Sequence, residues 1–282
     1  MCTDAKYNYH IILQRWRHVE QELRKIGITV TSNGVDGAGP FLKAMASQNG
    51  LFNRNYEGNV PRYWTFYSMP QLHDNSLACQ DIIHLLAKLR TRLLTPSNLI
   101  VVGVETACCG HLLQVLKSFS KSYHGLTHQV LENKDKQNYE SIEKLLGIGV
   151  EECLKKISVQ TKTKGTVVYL WIMRNIRDAF FNKSISPLER ISLVWKTVFF
   201  LRFWRLWLYN NGYSEANHFI TQNAYICIEF NSHLILNIVV NVINKTFPPE
   251  NVSTVQKFCL AELSSSPISK EAKRKDNTPV PT

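Results

Sequence analysis

The chain has 282 residues, of which 33 are Lys or Arg and 22 are Asp or Glu, so its formal net charge is +11. Its 44% hydrophobic and 20% charged residues are typical of globular proteins, which excludes wholesale disorder and collagen-like repeats. The excess of positive charge indicates an anionic partner. Seven scattered cysteines favour reduced thiols over a disulfide framework. The chain opens without a basic segment followed by an apolar run, so we expect an intracellular protein.

The first third of the chain is predicted to mix helices with short strands. Apolar residues at helical spacing predict an amphipathic helix over residues 7–26, and β-branched residues predict a strand over 28–31. A turn-rich segment and a short helix over 41–47 follow. Alternation predicts a strand over 62–68, and a strong helical pattern over 81–94 is closed by a proline.

From about residue 99 onwards the sequence is predicted to be mostly helical. Residues 99–103 fit either a strand or the start of a helix. Helices are predicted over residues 111–119, 136–146, 150–157, 166–181, 187–209 and 223–243. The Ser-, Pro- and Lys-rich residues 262–282 are predicted to form a disordered tail.

Two of the predicted helices are apolar enough to raise the question of a membrane span. Residues 195–208 contain three basic side chains, and residues 225–243 contain the polar residues Glu229, Ser232, His233, Asn237 and Asn241. A span needs about 20 mainly apolar residues. We therefore interpret both as core helices of a soluble domain.

The helix predicted over residues 81–94 places Asp81, His84, Lys88 and Arg92 on one stripe. A carboxylate at the start of a helix is also favoured by the helix dipole. The stripe is a candidate functional site. The alternative is that Asp81 only caps the helix and that the basic residues form a solvated face.

Glu229 is a second candidate, because it is a carboxylate within a long apolar run. His233, Asn237 and Asn241 follow it at steps of four residues on one polar stripe. A buried carboxylate must be paired, protonated, or turned towards a cleft that holds a cation. The sequence leaves a buried salt bridge and a hydrogen-bonded Glu open beside a functional role.

Two further motifs are weaker. Asp36 lies in a glycine-rich turn that lacks the glycine spacing and the Lys-Ser/Thr of nucleotide-binding loops, and it fits an ordinary turn residue. Cys108, Cys109 and His111 suggest a zinc site together with His124 and His128. Adjacent cysteines do not have the spacing that brings two thiolates to one tetrahedral metal, so zinc is disfavoured.

Taken together, the segments around these three carboxylates resemble P-element-style transposases, which carry an RNase H-like catalytic core broken by a helical insertion. Residues 80–94 are similar to the family block of Asp, then His, then Lys-x-Arg-x-x-Leu-Leu, which carries the second catalytic Asp. Residues 219–225 leading to Glu229 are similar to the helix that bears the final acidic residue. Residues 34–38 are similar to a turn that follows a strand in such cores without supplying a catalytic carboxylate.

The resemblance implies an α/β to mainly α chain with an incomplete RNase H-like core. Residues 1–103 would form its first half, 104–211 the all-helical insertion, 212–245 the returning core helix and 246–282 an extension with the tail. The implied chemistry is phosphoryl transfer on DNA by two Mg²⁺ or Mn²⁺ ions. Asp81 and Glu229 would be metal ligands and catalytic residues, with Asp36 as a third carboxylate.

The chain departs from the family at its start. There, the first catalytic Asp lies on a strand before the helix that corresponds to residues 7–26, and six residues precede that helix here. Asp4 has no strand around it, so Asp36 would have to be recruited from a different position. The resemblance therefore implies an N-terminally truncated core without full catalysis.

The sequence thus predicts a transposase-derived protein that binds DNA without sequence preference and with steep salt dependence. The predicted contacts are His84, Lys88, Arg90, Arg92, Lys196, Arg202 and Arg205. One alternative is an active Mg²⁺-dependent nuclease or strand transferase that uses the three carboxylates. Another is a helical interaction scaffold built on the aromatic residues of 195–207. A short basic run at 270–275 suggests nuclear import.

Overall fold

The computed structural model describes residues 8–49, 76–132 and 134–243. Most of these residues are helical, which confirms the mainly α part of the predicted fold class. The helices are α1 (Tyr9–Lys25), α2 (Gly39–Gln48), α3 (Ile82–Leu94), α4 (Cys109–Ser118), α5 (Lys121–His124), α6 (His128–Glu132), α7 (Tyr139–Leu145), α8 (Ile148–Thr161), α9 (Lys164–Phe181), α10 (Pro187–Asn210), α11 (Glu215–His218) and α12 (Gln222–Ile243). The strands are β1 (Ser32–Val35), β2 (Leu77–Gln80), β3 (Ile100–Val102) and β4 (Glu105–Ala107). The predicted strand over 62–68, the tail and the basic run at 270–275 lie outside the described residues.

Two of the long helices, α3 and α10, begin at side chains that cap them. Asp81 caps α3, and its Oδ1 accepts hydrogen bonds from the backbone N–H of Ile83 (2.7 Å) and His84 (3.2 Å). A capping box formed by Ser186 and Glu189 begins α10. These side chains satisfy donors that a helix leaves unpaired in its first turn. The predicted helices over 81–94, 187–209 and 223–243 are therefore confirmed as α3, α10 and α12.

The described strands form two small sheets. β1 and β2 pair in parallel, with Val35 opposite Gln80. β3 and β4 form an antiparallel hairpin whose turn contains Gly103 at φ +59°. The strand predicted over 28–31 was wrong by four residues, since the pairing with β2 places β1 at Ser32–Val35. Of the two alternatives left open for residues 99–103, the strand is the one observed, as β3.

Two asparagine side chains complete the edge of β2 that faces away from β1. Asn49 exchanges two hydrogen bonds of 2.8 Å with the backbone N–H and C=O of Ala78. Asn231, on α12, does the same for Gln80, at 2.9 and 3.0 Å. A buried strand edge must find partners for its backbone groups. The two amides supply those that a third strand would otherwise provide.

One large hydrophobic core joins the strands to the helices that follow. Buried residues of α3, α9, α10 and α12 share this cluster with β3 and β4. Two buried polar side chains tie the layers together. The Tyr169 hydroxyl donates to the carbonyl of Leu89 (2.9 Å), and Trp204 Nε1 donates to the carbonyl of Val101 (2.6 Å). The helices of the predicted insertion thus pack directly on the strands.

The helix α12 lies within this core. Its stretch Gln222–Val240 is long and apolar enough to cross a membrane by length and composition, and 67% of that stretch is buried inside the protein. A lipid-facing helix would expose such a surface, whereas this one is covered by protein. The interpretation of residues 225–243 as a core helix agrees with this burial.

Candidate functional site

Asp36 and Asp81 come together at one edge of the parallel strand pair. Asp36 directly follows β1 and Asp81 directly follows β2, and the last residues of these strands are paired in register. The backbone N–H of Asp81 also donates to the carbonyl of Val35 (2.9 Å). Since parallel strands bring their carboxyl ends to the same edge, two of the three predicted carboxylates are neighbours.

Both carboxylates take part in local hydrogen bonds. Asp36 Oδ1 accepts from the backbone N–H of Ala38 (2.9 Å), which is the turn role that the sequence left open. Asp81 caps α3, and its Oδ2 lies 3.4 Å from Nδ1 of His84. The Asp81 side chain is 41% exposed. The capping alternative for Asp81 is therefore present in the structure.

Lys88 points into the loop that follows β1. Its Nζ donates to the carbonyls of Asp36 (3.2 Å) and Gly37 (3.4 Å), and Gln80 Nε2 donates to the same Asp36 carbonyl (2.7 Å). Gly37 has φ +73° and lies so close to Gln80 and Lys88 that a Cβ there would crowd both side chains. The Lys88 ammonium thus places a positive charge at the backbone carbonyls of the loop that follows β1.

Glu229 is 4% exposed and forms a buried salt bridge with Arg202 of α10. Arg202 Nε donates to Oε1 (2.8 Å) and Nη2 donates to Oε2 (2.7 Å), so the pair is bidentate. The Tyr225 hydroxyl, one helical turn earlier, donates to Oε1 (2.9 Å). Burial and the charge of Glu229 hold the pKa of Tyr225 above its ordinary value, which keeps this phenol protonated as a donor. Both alternatives left open by the sequence, a buried salt bridge and a hydrogen-bonded Glu, are therefore observed together.

Glu229 does not face the two aspartates. The face of α12 that meets β2 carries Asn231, which binds Gln80, and Cys227, which lies near Lys88 and Cys79. Successive residues of an α-helix are rotated by about 100°, so Glu229 projects to the side of α12 away from Asn231. The structure therefore brings Asp36 and Asp81 together and directs Glu229 towards α10.

Two basic residues of α3, Arg90 and Arg92, donate hydrogen bonds to backbone carbonyls of the protein. Arg90 is 1% exposed and donates to the carbonyls of Val130 (2.7 Å) and Asp135 (3.0 Å). Arg92 donates to the carbonyls of Phe219 (3.0 Å) and Ala216 (2.6 Å). These bonds dock α3 against α6 and the loop before α7, and against α11 and the loop before α12. The assignment of Arg90 to a DNA-facing surface is corrected, because its guanidinium is enclosed by protein.

The predicted basic residues of α10 differ in their surroundings. Arg202 is enclosed with Glu229, its side chain being 8% exposed, so its assignment to a DNA-facing surface is also corrected. Arg205 Nε donates to Glu215 Oε2 (2.6 Å), and its guanidinium lies 5.3 Å from the centre of the Tyr225 ring. Lys196 is exposed on the outer side of α10. Of these three side chains, Lys196 is the most exposed to solvent.

The histidines weighed for zinc have protein partners. His111 Nδ1 lies 2.7 Å from the hydroxyl of Thr166. His124 is buried, with Nδ1 accepting from the backbone N–H of Leu126 (3.0 Å). Within residues 8–49, 76–132 and 134–243, no three His, Cys, Asp or Glu side chains are grouped so that they hold a metal ion.

Sequence reasoning missed the residues that arrange this region. Asn49 and Asn231 bind β2 through backbone groups, and such pairing leaves no local pattern in the sequence. Tyr225 could have been found from the sequence, because it lies four residues before Glu229 on the same face of the helix.

No protein-family model matches the chain, and no curated protein matches it. Among solved structures, the chain matches the Drosophila P element transposase strand transfer complex with a TM-score of 0.60 and 12% sequence identity. The chain has a P-element-like transposase fold. The resemblance stated from residues 80–94 and 219–229 is thereby confirmed as a likeness of fold.

The match covers a larger share of this chain than of the transposase. It covers 82% of this chain and 53% of the transposase chain. This chain therefore spans about half the length of the transposase that it matches, and the shared part includes most of its described helices and strands.

Proposed function

We propose that this chain is a transposase-derived protein that binds the DNA backbone and does not catalyse strand transfer. The observation that carries the proposal is the shared fold with a transposase in a strand transfer complex. Strand transfer is a reaction on DNA, and the net charge of +11 suits a polyanionic partner. In this proposal, β1, α2, β2, α3 and α12 are a reduced RNase H-like core, and the helices within residues 104–211 are its insertion.

The proposed contact surface is the corner between α8 and α9. Lys155, Lys156, Lys162 and Lys164 are exposed there, and the sequence contains no acidic residue from 153 to 177. Lys155 also forms an ion pair with Glu151 (2.5 Å). Lys156 Nζ lies 2.9 Å from the Tyr123 hydroxyl. Exposed ammonium groups bind phosphates and release counterions, whereas the enclosed guanidiniums of α3 and α10 are already occupied by protein. The corner therefore replaces Arg90 and Arg202 in the proposed interface.

The loss of catalysis follows from how the three carboxylates are used. A two-metal site needs several carboxylates around two cations roughly 3.5–4 Å apart. Both oxygens of Glu229 bind Arg202, Asp36 Oδ1 accepts from the backbone N–H of Ala38, and Asp81 Oδ1 caps α3. Asn231, which binds the last residue of β2, is an amide and not a carboxylate. These contacts support a site that no longer gathers two metal ions.

The binding experiment is a fluorescence anisotropy titration with two unrelated short duplexes over a series of KCl concentrations. We expect equal affinities for both duplexes and a linear fall of log K with log salt. The double variant Lys162→Gln/Lys164→Gln should reduce the salt slope by about two. Lys183→Gln, at another exposed lysine, is the matched control. Absence of salt-dependent binding would refute the proposal.

Catalysis is tested separately with Mg²⁺ or Mn²⁺ and end-labelled DNA. Asp81→Asn is the suitable variant, because Asn caps a helix about as well as Asp. We expect no cleavage above background from either protein. Cleavage by the wild type that disappears in Asp81→Asn would show an active nuclease instead.

One observation favours a second candidate function as an interaction scaffold. Phe199 and Phe203, one turn apart on α10, are 48% and 65% exposed, whereas Trp204 is buried. Large exposed aromatic side chains one turn apart suit a protein contact better than solvent. Sedimentation of the wild type and of Phe199→Ser/Phe203→Ser tests this candidate. A monomer in both cases would leave self-association without support.

A further inference from the structure

The last turn of α8 projects into solvent at the corner between α8 and α9. Ile157 is the last residue of this helix that packs in the hydrophobic core. Beyond it, Val159 is 92% exposed, and Lys162 is also exposed. Ser158 lies between them and is partly exposed, and its hydroxyl donates to the carbonyl of Lys155 (2.7 Å). This hydroxyl therefore lies at the surface of the protein.

Few interactions hold this turn in place. α8 ends at Lys162, which is the one non-glycine residue with a left-handed backbone (φ +50°) in the described part of the chain. A side chain is unfavourable in that conformation. The backbone N–H of Lys162 donates to the carbonyl of Ser158 (3.2 Å), and Thr161 Oγ1 donates to the carbonyl of Ile157 (2.8 Å). Since the turn buries little apolar surface, it opens at less cost than the rest of α8.

Two basic residues precede Ser158 along the chain. Lys155 and Lys156 lie three and two residues before it, and both are exposed. Basic residues are also adjacent at 24–25 and 273–275, but no serine or threonine follows them at the same spacing. Protein kinases with an acidic substrate groove select a hydroxyl by the basic side chains that precede it. Sequence and exposure thus distinguish Ser158 from the other serines.

We propose that Ser158 is a phosphorylation site and that its modification weakens the DNA contact of this corner. The inference rests on the proposed function, because it concerns the regulation of the same surface. The Ser158 oxygen attacks the γ-phosphorus of a nucleoside triphosphate, and a new O–P bond forms. The bond from that phosphorus to the bridging oxygen breaks, the nucleoside diphosphate leaves, and the hydroxyl proton passes to a base of the kinase.

A phosphate at this position would act on the lysines of the corner. Helical spacing brings Lys155, three residues before Ser158, and Lys162, four residues after it, close to the new group. A phosphoserine carries a charge of about −1.5 to −2 at pH 7. It therefore cancels about two of the four lysine charges that the corner offers to DNA. Phosphate is also unfavourable near the C-terminal end of a helix, so the last turn is loosened further.

The site is tested on the full chain with ATP, Mg²⁺ and a purified kinase that selects Lys or Arg two and three residues before its serine. Fragment mass spectrometry locates the phosphate, which we expect on Ser158. Ser158→Ala should remove this signal. Ser122→Ala, at another exposed serine that lacks a preceding basic pair, is the matched control and should keep it. Absence of phosphate from Ser158 in the wild type overturns the site.

The switch is tested by anisotropy titrations of the phosphorylated and unmodified chains with one duplex over a series of KCl concentrations. Phosphorylation should reduce the slope of log K against log salt by about two, and Ser158→Glu should reduce it by about one. Circular dichroism checks the fold of each protein. Equal slopes after complete phosphorylation overturn the switch and leave the proposed DNA binding intact. Absence of binding by the unmodified chain overturns the proposed function and the switch together, whereas mass spectrometry still decides the site.

Discussion

Replacing Arg202 by Met leaves the Glu229 carboxylate inside the protein without its cation. The two side chains are 8% and 5% exposed, and they share two hydrogen bonds of 2.8 and 2.7 Å. Met resembles the apolar stem of Arg in length, so packing against Trp195 and Phe199 is largely kept. The main effect of Arg202→Met is therefore an unpaired buried charge.

The burial of both partners decides the magnitude. An exposed ion pair contributes about 0–1 kcal/mol, whereas removal of one partner from a buried pair costs about 3–5 kcal/mol. The Tyr225 hydroxyl still donates to Glu229, which places the expected loss at the lower end of that range. A loss of about 3 kcal/mol lowers Tm by roughly 6–12 °C for a domain of this size. The double variant Arg202→Met/Glu229→Leu removes both charges, and it should regain most of this loss.

Urea unfolding followed by tryptophan fluorescence measures both variants against the wild type. The reasoning is refuted if Arg202→Met loses less than about 1 kcal/mol, the value of an exposed pair. It is also refuted if the double variant is as unstable as the single one. Mg²⁺ provides a separate check, because a metal bound by Glu229 would raise the wild-type Tm and leave Glu229→Gln unaffected. We expect no such rise.

Three further predictions concern stability. Arg90→Met removes the donors from two buried carbonyls and should cost about 1.5–3 kcal/mol in urea unfolding, without a change in DNA affinity. Gly165→Ala places a Cβ against the carbonyl of Thr106 and should cost about 1–3 kcal/mol by calorimetry, whereas Gly39→Ala meets no atom within 4 Å and should be neutral or stabilising. Burial lowers the pKa of His233, so the unfolded chain takes up this proton at higher pH than the folded chain. The contribution of His233 to the free energy of unfolding is full above about pH 6.5, and it is lost as the pH falls towards the lower pKa of the folded protein. The urea midpoints of unfolding at about pH 7.5 and about pH 5.5 should therefore differ less in His233→Phe than in the wild type.

The helices of this protein were largely predictable from local patterns. The apolar spacing that predicted residues 7–26, 81–94 and 187–209 corresponds to α1, α3 and α10 within two residues at each end. A helix makes its hydrogen bonds within one segment, so periodicity and capping residues report on it directly. The short helices α5, α6 and α11 were missed, because four or five residues are too few for a period to be visible.

The strands were less predictable. β2 has the sequence Leu-Ala-Cys-Gln, which lacks the β-branched and aromatic residues that signal a strand. Its extended form depends on β1 and on the amides of Asn49 and Asn231, which come from distant parts of the chain. β1 itself contains Asn-Gly, typical of a turn, and is fixed by the same pairing.

The candidate site also has features that were predictable from the sequence and features that were not. The sequence by itself determined that Asp81 begins a helix and that Glu229 needs compensation, because the first follows from capping and the second from the cost of a buried charge. Only the tertiary structure decided that Asp36 and Asp81 are neighbours and that Glu229 binds Arg202. A sequence pattern gives the face of a helix on which a residue lies, whereas the element that meets that face depends on how distant segments pack. That packing turned the carboxylate away from the aspartates and into a salt bridge within the core.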